Sequence, residues 1–119
     1  MTIFVDVDDT LVLYDPPRSG PHPYGVFDGV PWKPNERLIA GIKAAARGDS
    51  WVVVWSGGGR RYAEWWVQKL GLDSYVTGVL DKHDRTLRAF VRVGDVVIDD
   101  MPVLGRTHEP HEWPDKETA

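Results

Sequence analysis

The sequence predicts an α/β fold built on a parallel sheet, within a single domain spanning residues 1–119. Short apolar runs that are typical of buried strands alternate with segments in which apolar residues recur at helical spacing. Polar or acidic residues directly follow several of these runs. Because the carboxyl ends of parallel strands meet at one edge of a sheet, we expect those polar groups to lie close together.

The composition is that of a folded domain with one core. Hydrophobic residues make up 42% and charged residues 27% of the chain, which argues against disorder. No apolar run approaches the ~20 residues of a membrane helix, and the N-terminus lacks the pattern of a signal peptide. We therefore expect a cytoplasmic protein with no membrane partner. The absence of cysteine excludes disulfides, thiolate metal sites and a cysteine nucleophile.

Charge and residue usage give weaker indications of partners and source. The formal net charge of −4 argues against bulk attraction to nucleic acid, although it is compatible with a local basic patch. Low Lys and Asn with abundant Gly, Ala, Val, Arg and Asp is typical of a GC-rich source such as a phage or an actinobacterium. If the protein is encoded by a phage, the cytoplasm would be that of the host. Nothing in the sequence selects an oligomeric state.

The first predicted strand starts at Ile3 and is followed by a flap over 11–30. Residues 11–14 form one extended arm of the flap, and 24–30 form the returning arm. The proline-rich stretch 15–23 between them cannot be the interior of a helix, because proline fixes φ and lacks an N–H donor. Loops of this length in small domains are usually functional or disordered.

Apolar spacing predicts three helices, and apolar runs predict four more strands. The first helix covers 35–47, with Asn35 as its N-cap and Gly48 after its last turn. The remaining expected elements are a strand at 51–55, a helix at 60–70 closed by Gly71, a strand at 75–80, a short helix at 85–90, strands at 96–98 and 103–106, and an irregular tail over about 105–119.

The six tryptophans divide into two groups by their surroundings in the sequence. Four fall within strand or helix patterns and are predicted to be core residues: Trp51, Trp55, Trp65 and Trp66. Trp32 and Trp113 are predicted to be freer, and a free indole ring can stack on nucleobases.

Two acidic residues at the end of the first strand are the main candidates for chemistry. Asp6 and Asp8 are two positions apart, so in extended backbone their side chains point the same way. Crowded like charges are costly unless a cation shares the space, and carboxylate oxygens suit Mg²⁺. The alternative is an Asp-rich turn that caps the following segment, and Asp9 fits that structural role.

The other strand ends carry a complementary set of polar groups. Ser56 and the glycines after it end the second strand of the sheet, Lys82 follows the third, and Asp99 and Asp100 follow the fourth. Carboxylates can supply an attacking oxygen, while a hydroxyl, backbone N–H groups and a lysine can hold a phosphate and its developing charge. The set as a whole therefore favours phosphoryl transfer.

These residues resemble the four motifs of the haloacid dehalogenase-like phosphohydrolases. The segment 6–11, DVDDTL, matches the DxDxT signature, and 54–57, VWSG, is similar to the second motif, an apolar strand ending in Ser or Thr. Lys82 fits the third motif, and 97–100, VIDD, fits the acidic fourth. The four occur in the family's order. The resemblance implies a three-layer Rossmann-like fold with a central parallel sheet of about five strands.

The resemblance also implies catalytic roles. Asp6 would be the nucleophile that forms an aspartyl-phosphate, and Asp8 would be the general acid and base. Ser56 and Lys82 would bind the phosphoryl group, with Lys82 also steadying Asp6. Thr10 and Gly57, within the first and second motifs, would contribute to substrate binding.

The same resemblance implies a Mg²⁺ site. The ion would lie between Asp6, the backbone carbonyl of Asp8 and the fourth motif. Asp99 and Asp100 both match the acidic position of that motif, so either could be the direct ligand.

The spacing of the motifs leaves no room for the cap domain that members of this family usually carry. Only 82 − 56 = 26 positions separate Ser56 from Lys82. Capless members have open sites that admit polymers, and the chain resembles the phosphatase half of phage polynucleotide kinase/phosphatases, which act on nucleic-acid 3′-phosphates. Arg18 in the flap and Arg60 after the second motif match arginines that assist the phosphate there, although two extra glycines precede Arg60.

Several alternatives stay open at this point. A nucleotidase or a phosphatase of small monoesters would use the same residues, and a catalytically silent binding module could retain the fold. A receiver-type signalling domain is disfavoured, because its phospho-accepting Asp would have to stand at Ser56. His83 is expected at the surface, with contact to the substrate beside Lys82 as the alternative, and His108 and His111 lack the further ligands that a zinc site needs.

Overall fold

The computed structural model describes residues 1–14, 32–83, 91, 95–100 and 107–114. These residues form six strands and two helices in the following chain order. The elements are β1 Thr2–Asp6, β2 Val12–Tyr14, β3 Trp32–Pro34, α1 Glu36–Arg47, β4 Trp51–Ser56, α2 Arg60–Lys69, β5 Gly78–Asp81 and β6 Val96–Ile98.

Four of the strands form a parallel sheet in the order β5-β4-β1-β6. Val5 in the centre of the sheet pairs with Val54 on one side and with Ile98 on the other. The predicted α/β class with a parallel sheet is therefore confirmed for four strands. The fifth strand expected over 103–106 lies outside the described residues, but His108 forms a single parallel bridge with Ile98 at this edge.

The alternation of side chains along β1 separates two apolar clusters on opposite faces of the sheet. Ile3 and Val5 belong to a large cluster that also contains the buried residues of both helices. Phe4 points the other way and packs with Trp55 and Val97 in a smaller cluster. Both described helices therefore cover the same face, as right-handed crossovers from β1 to β4 and from β4 to β5 require.

The helices begin and end close to the predicted residues. Asn35 caps α1 by accepting a hydrogen bond from the Leu38 N–H, and Gly48 is the C-cap. Gly59, at φ 98°, precedes α2, and Gly71, at φ 68°, follows it; glycine adopts these left-handed angles at little cost. Helices of 12 and 10 residues are far below the ~20 needed to cross a bilayer, and the described residues contain no membrane-spanning helix.

The base of the flap is an antiparallel hairpin of β2 and β3. Tyr14 pairs with Trp32, and Val12 pairs with Pro34. The returning arm therefore includes Trp32–Pro34, a segment directly before α1 for which the sequence predicted no strand. The arm expected at 24–30, and the rest of the flap between the two strands, lie outside the described residues.

The third strand of the sheet begins later than predicted. Tyr75 and Val76 both donate backbone hydrogen bonds to the Leu72 carbonyl, so this part of the 75–80 segment is a turn. The two side chains pack against the main core from that turn. Pairing with β4 starts where the Thr77 N–H donates to the Val52 carbonyl at 2.7 Å. The helix expected at 85–90 lies outside the described residues.

The predictions for tryptophan were correct for Trp55 and Trp66, which are fully buried. They were wrong for Trp51, which is 64% exposed at the first position of β4, and for Trp65, which is 44% exposed on α2. Trp113 is buried instead of free, because its ring packs into the main core beside α1.

Candidate active site

The carboxyl ends of β1 and β6 form the crevice where the site residues meet. The chain runs from β1 to β4 and β5 on one side, and it returns to β6 on the other side of β1. Such a reversal of strand order is where open α/β sheets place their ligands. The pairing of Val5 with Ile98 puts the next residues, Asp6 and Asp99, beside each other at this point.

Lys82 connects the two carboxylates. Its backbone N–H donates to the Ser56 carbonyl at 3.0 Å, which anchors the residue just beyond β5. Its Nζ lies 3.3 Å from Asp6 Oδ1 and also contacts Asp99 Oδ2. Burial alone would lower the pKa of Lys82, but the charges of Asp6 and Asp99 outweigh it and raise that pKa. The lysine is therefore a fixed cation at the strand edge.

Three carboxylates share this small volume with the one lysine. Oxygen atoms of Asp6, Asp99 and Asp100 lie within 4.8 Å of one another. Among the described residues, Lys82 is the cation that contacts them, so three ionised carboxylates would exceed it by 3 − 1 = 2 charges. Burial, followed by the charge of Asp99, raises the pKa of Asp6 well above its usual range, and burial raises the pKa of Asp100 to about 6. The geometry suits a divalent cation with oxygen ligands.

Thr10 fixes the second oxygen of Asp6. Its Oγ1 donates to Asp6 Oδ2 at 3.3 Å, while Lys82 is near Oδ1. Thr10 reaches this position through a tight turn in which its N–H donates to the Val7 carbonyl and Asp9 has φ 57°. Asp residues tolerate this left-handed conformation better than most, which agrees with the structural role expected for Asp9.

Ser56 presents its hydroxyl at the start of the glycine-rich loop. The Gly58 N–H donates to Ser56 Oγ at 3.0 Å, and the Gly59 N–H donates to the Ser56 carbonyl at 3.1 Å. An accepting hydroxyl keeps its own proton for donation to another acceptor. Ser56 is buried and Gly57 is half-buried, so both lie at the N-terminal side of α2, where backbone N–H groups favour anions.

Asp8 does not belong to the cluster of three carboxylates and is hydrogen-bonded to two tyrosines. The Tyr14 hydroxyl donates to Asp8 Oδ1 at 2.7 Å, and the Tyr62 hydroxyl donates to the same oxygen at 2.6 Å. The sequence did not identify either tyrosine as a site residue. Both fall in patterns that indicate core packing, and their ring bodies are indeed in the core.

The two predicted arginines have different outcomes. Arg60 is exposed, and its Nε lies 2.9 Å from Glu64 Oε1 in an i,i+4 ion pair on α2. Within the described part of the chain it makes no hydrogen bond or ion pair with the carboxylate cluster. Arg18 lies outside the described residues. His83 is exposed, as its surface interpretation expected.

A second acidic group lies away from the sheet edge, in the C-terminal segment. Glu109, His111 and Glu112 are exposed and have potential ligand atoms within 4.8 Å of one another. His108 is separate, because its backbone N–H and carbonyl pair with Val97 and Asp99 along the edge of β6. Among the described residues, His108 is therefore not part of the group that contains His111.

Comparison of the chain with models of known protein families, with curated proteins and with solved structures finds no match.

Proposed function

We propose that the protein is a Mg²⁺-dependent phosphomonoester hydrolase that acts through an aspartyl-phosphate on Asp6. The observation that carries the proposal is the position of Asp6 at the strand reversal, with Lys82 at one carboxylate oxygen and Thr10 at the other. This arrangement orients a carboxylate and places a fixed cation beside it, as nucleophilic attack on a phosphoryl group requires.

The proposed reaction has two steps. An oxygen of Asp6 attacks phosphorus while the bond to the leaving alcohol breaks, and Asp8 gives that alcohol a proton. Asp8 then removes a proton from water, the water oxygen attacks phosphorus, and the bond to Asp6 breaks to release phosphate. Ser56 donates its hydroxyl proton toward a phosphoryl oxygen, Gly57 offers backbone contact, and Lys82 balances negative charge in both steps.

The donor set around Asp6 fits Mg²⁺. Carboxylate oxygens are the ligands this hard cation prefers, and the excess of carboxylates over lysine in the described part of the site favours a divalent ion. Asp6, the Asp8 backbone carbonyl and one of Asp99 and Asp100 would hold the ion. When bound, it would neutralise charge on the phosphate and on the nearby carboxylates.

We further propose membership of the haloacid dehalogenase-like phosphohydrolases, with their three-layer Rossmann-like fold and five-stranded sheet. The four described strands support this proposal, because their order places the third, second, first and fourth strands of the sheet side by side. The four motif segments lie at the carboxyl ends of those strands. The proposal includes a cytoplasmic location, which agrees with the lack of a membrane-spanning helix among the described residues.

The proposed substrate is a nucleic-acid 3′-phosphate. The chain between Ser56 and Lys82 is fully described and contains only α2, β5 and their connections, so no cap domain is inserted there. A site without such a cap can admit the end of a polymer. Nucleotides and other small phosphomonoesters are the alternative substrates.

Phosphate release with and without Mg²⁺ tests this proposal on three substrates. The panel consists of a 3′-phosphorylated oligonucleotide, the corresponding mononucleotides and an aryl phosphate. Preferential, metal-dependent release from the oligonucleotide is the expected result. Release from the small esters alone would overturn the substrate assignment, and release from none of them would favour a catalytically silent binding module.

A further inference from the structure

Two tyrosine hydroxyls converge on one oxygen of Asp8. Tyr14 comes from the flap hairpin and Tyr62 from α2, 54 positions from Asp8, yet their hydroxyls lie 2.7 Å and 2.6 Å from Asp8 Oδ1. A carboxyl oxygen has two lone pairs, so Oδ1 can accept both hydrogen bonds while Oδ2 carries a proton. We call Tyr14 and Tyr62 the tyrosine pair.

Both hydroxyls of the tyrosine pair are hydrogen-bond donors to Asp8 throughout the physiological pH range. A tyrosine hydroxyl ordinarily has a pKa of about 10, so it carries its proton at neutral pH. Both protons therefore stay in place and point toward the carboxylate. Since both bonds end on Oδ1, the plane of the carboxyl group is fixed and Oδ2 becomes the atom that can exchange a proton with a substrate.

The hairpin and the helix are held together next to the tyrosine pair. Trp32 stands opposite Tyr14 in the hairpin and makes an edge-on contact with Trp66, at a ring separation of 4.9 Å. Trp66 lies one helical turn after Tyr62 on α2. The packing of the hairpin against α2 therefore brings the two hydroxyls to the same carboxylate oxygen.

We infer that Tyr14 and Tyr62 are positioning residues that hold Asp8 as a general acid for esters of poorly acidic alcohols. The inference rests on the proposed function and narrows its substrate class to alkyl phosphates, such as a phosphate on a sugar hydroxyl. When the bond from phosphorus to the leaving oxygen breaks, its electron pair stays on that oxygen, which takes the proton from Asp8 Oδ2. The new bond to phosphorus forms from Asp6.

The leaving group decides how much this proton transfer matters. An alkoxide is a strong base and needs its proton in the transition state, where a placed general acid contributes about 10²–10⁴-fold. An aryl oxide leaves readily without it. Loss of a residue that positions Asp8 should therefore slow the departure of an alkoxide far more than the departure of an aryl oxide.

The test compares Tyr14→Phe and Tyr62→Phe on an alkyl phosphate and on p-nitrophenyl phosphate. Each substitution removes one hydroxyl and keeps the ring that packs in the core. We expect kcat/KM, which reports phosphoryl transfer to Asp6 and not the later hydrolysis shared by both esters, to fall ~10–100-fold for the alkyl ester and less than ~3-fold for the aryl ester. Tyr75→Phe is the matched control, because its hydroxyl accepts from Arg47 on an exposed part of the fold.

A second measurement keeps the inference testable when a substitution also weakens folding. In an Asp8→Asn background, removal of either hydroxyl should cause little further loss of kcat/KM, because the acid that it positions is already gone. An equal loss of kcat/KM on both esters, or an undiminished loss in the Asp8→Asn background, would overturn the positioning role alone. A wild-type protein inactive on the 3′-phosphorylated oligonucleotide and on both small esters would overturn the proposed function and this inference with it.

Discussion

Lys82 Nζ lies 3.3 Å from Asp6 Oδ1, although the two residues are 76 positions apart in the chain. The contact depends on the register between β4 and β5, which pairs Ser56 with Asp81 and delivers the next residue to the strand edge. Two distant parts of the chain are thus joined in the site by backbone pairing. Removal of one partner of a buried ion pair also costs much free energy of folding, because the other charge is left buried without it.

Lys82→Met should abolish most of the activity while preserving much of the side chain's length. It removes the cation that balances Asp6 and Asp99, and loss of one such electrostatic partner typically costs about 10²–10³-fold in kcat. The measurement is steady-state phosphate release on the substrate that the wild-type protein prefers.

Lys69→Met serves as the control for Lys82→Met, because Lys69 is exposed in the last turn of α2. It should retain wild-type activity. Comparable losses in the two variants would mean that the Lys82 result reports a general effect of charge removal.

Ser56→Ala should lower kcat by about 10²-fold, because one hydroxyl donor to the phosphoryl group is lost. The backbone bond from Gly59 to the Ser56 carbonyl does not involve the side chain and should persist. Ser56→Thr keeps the hydroxyl but adds a methyl group at a fully buried position, so it should recover part of the loss. If Ala and Thr variants were equally active, the hydroxyl would have no role.

Stabilisation by Mg²⁺ should increase with pH. The fold raises the pKa of Asp6, and that of Asp100 to about 6, so the metal-free folded state keeps protons that the unfolded chain has released. This contribution to stability is fully present below the ordinary carboxyl pKa of about 4 and is lost as the pH rises through about 6. Mg²⁺ must compete with those protons, so it should raise Tm more at about pH 8 than at about pH 5.

Asp100→Asn provides the control for the dependence on pH, since the amide carries no charge at either pH. The variant should show a smaller stabilisation by Mg²⁺ and a weaker dependence of that stabilisation on pH. A Tm of the wild-type protein that did not respond to Mg²⁺ at any pH would contradict the proposed metal site.

Asn35→Ala should destabilise the fold through two lost hydrogen bonds. Its Oδ1 accepts from the Leu38 N–H as the cap of α1, and its Nδ2 donates to the Thr10 carbonyl at 3.0 Å. We expect a loss of about 1–3 kcal/mol in the free energy of unfolding, measured with urea. Asn35→Ser keeps an acceptor for the cap and should lose about half as much; an Ala variant as stable as wild type would refute both contacts.

The sequence was most informative about elements whose apolar pattern matches their burial in the structure. The apolar runs around Val5 and Val54 could form only buried strands, and Asn35 together with the apolar spacing placed α1 to within a residue. The parallel pairing of those strands then made the approach of Asp6 to Asp99 predictable. This holds because the ends of parallel strands share one edge regardless of the loops between them.

Tertiary contacts decided the features that the sequence did not reveal. Trp51 was expected in the core but is exposed, and Trp113 was expected to be free but is buried. Burial depends on which end of a strand is covered and on where a C-terminal segment packs. The roles of Tyr14 and Tyr62 were hidden for another reason. A tyrosine in an apolar pattern signals a packed ring, and nothing in one sequence tells which carboxylate its hydroxyl will meet.

Mass analysis of acid-quenched protein after mixing with substrate tests the central claim most directly. An aspartyl-phosphate on Asp6 predicts a phosphoryl adduct that maps to the peptide carrying residue 6, is removed by hydroxylamine and is absent from Asp6→Asn. Asp6→Asn should also have lost phosphate release while it remains folded. Phosphate release that survives in Asp6→Asn, or an adduct on another residue, would contradict Asp6 as the nucleophile.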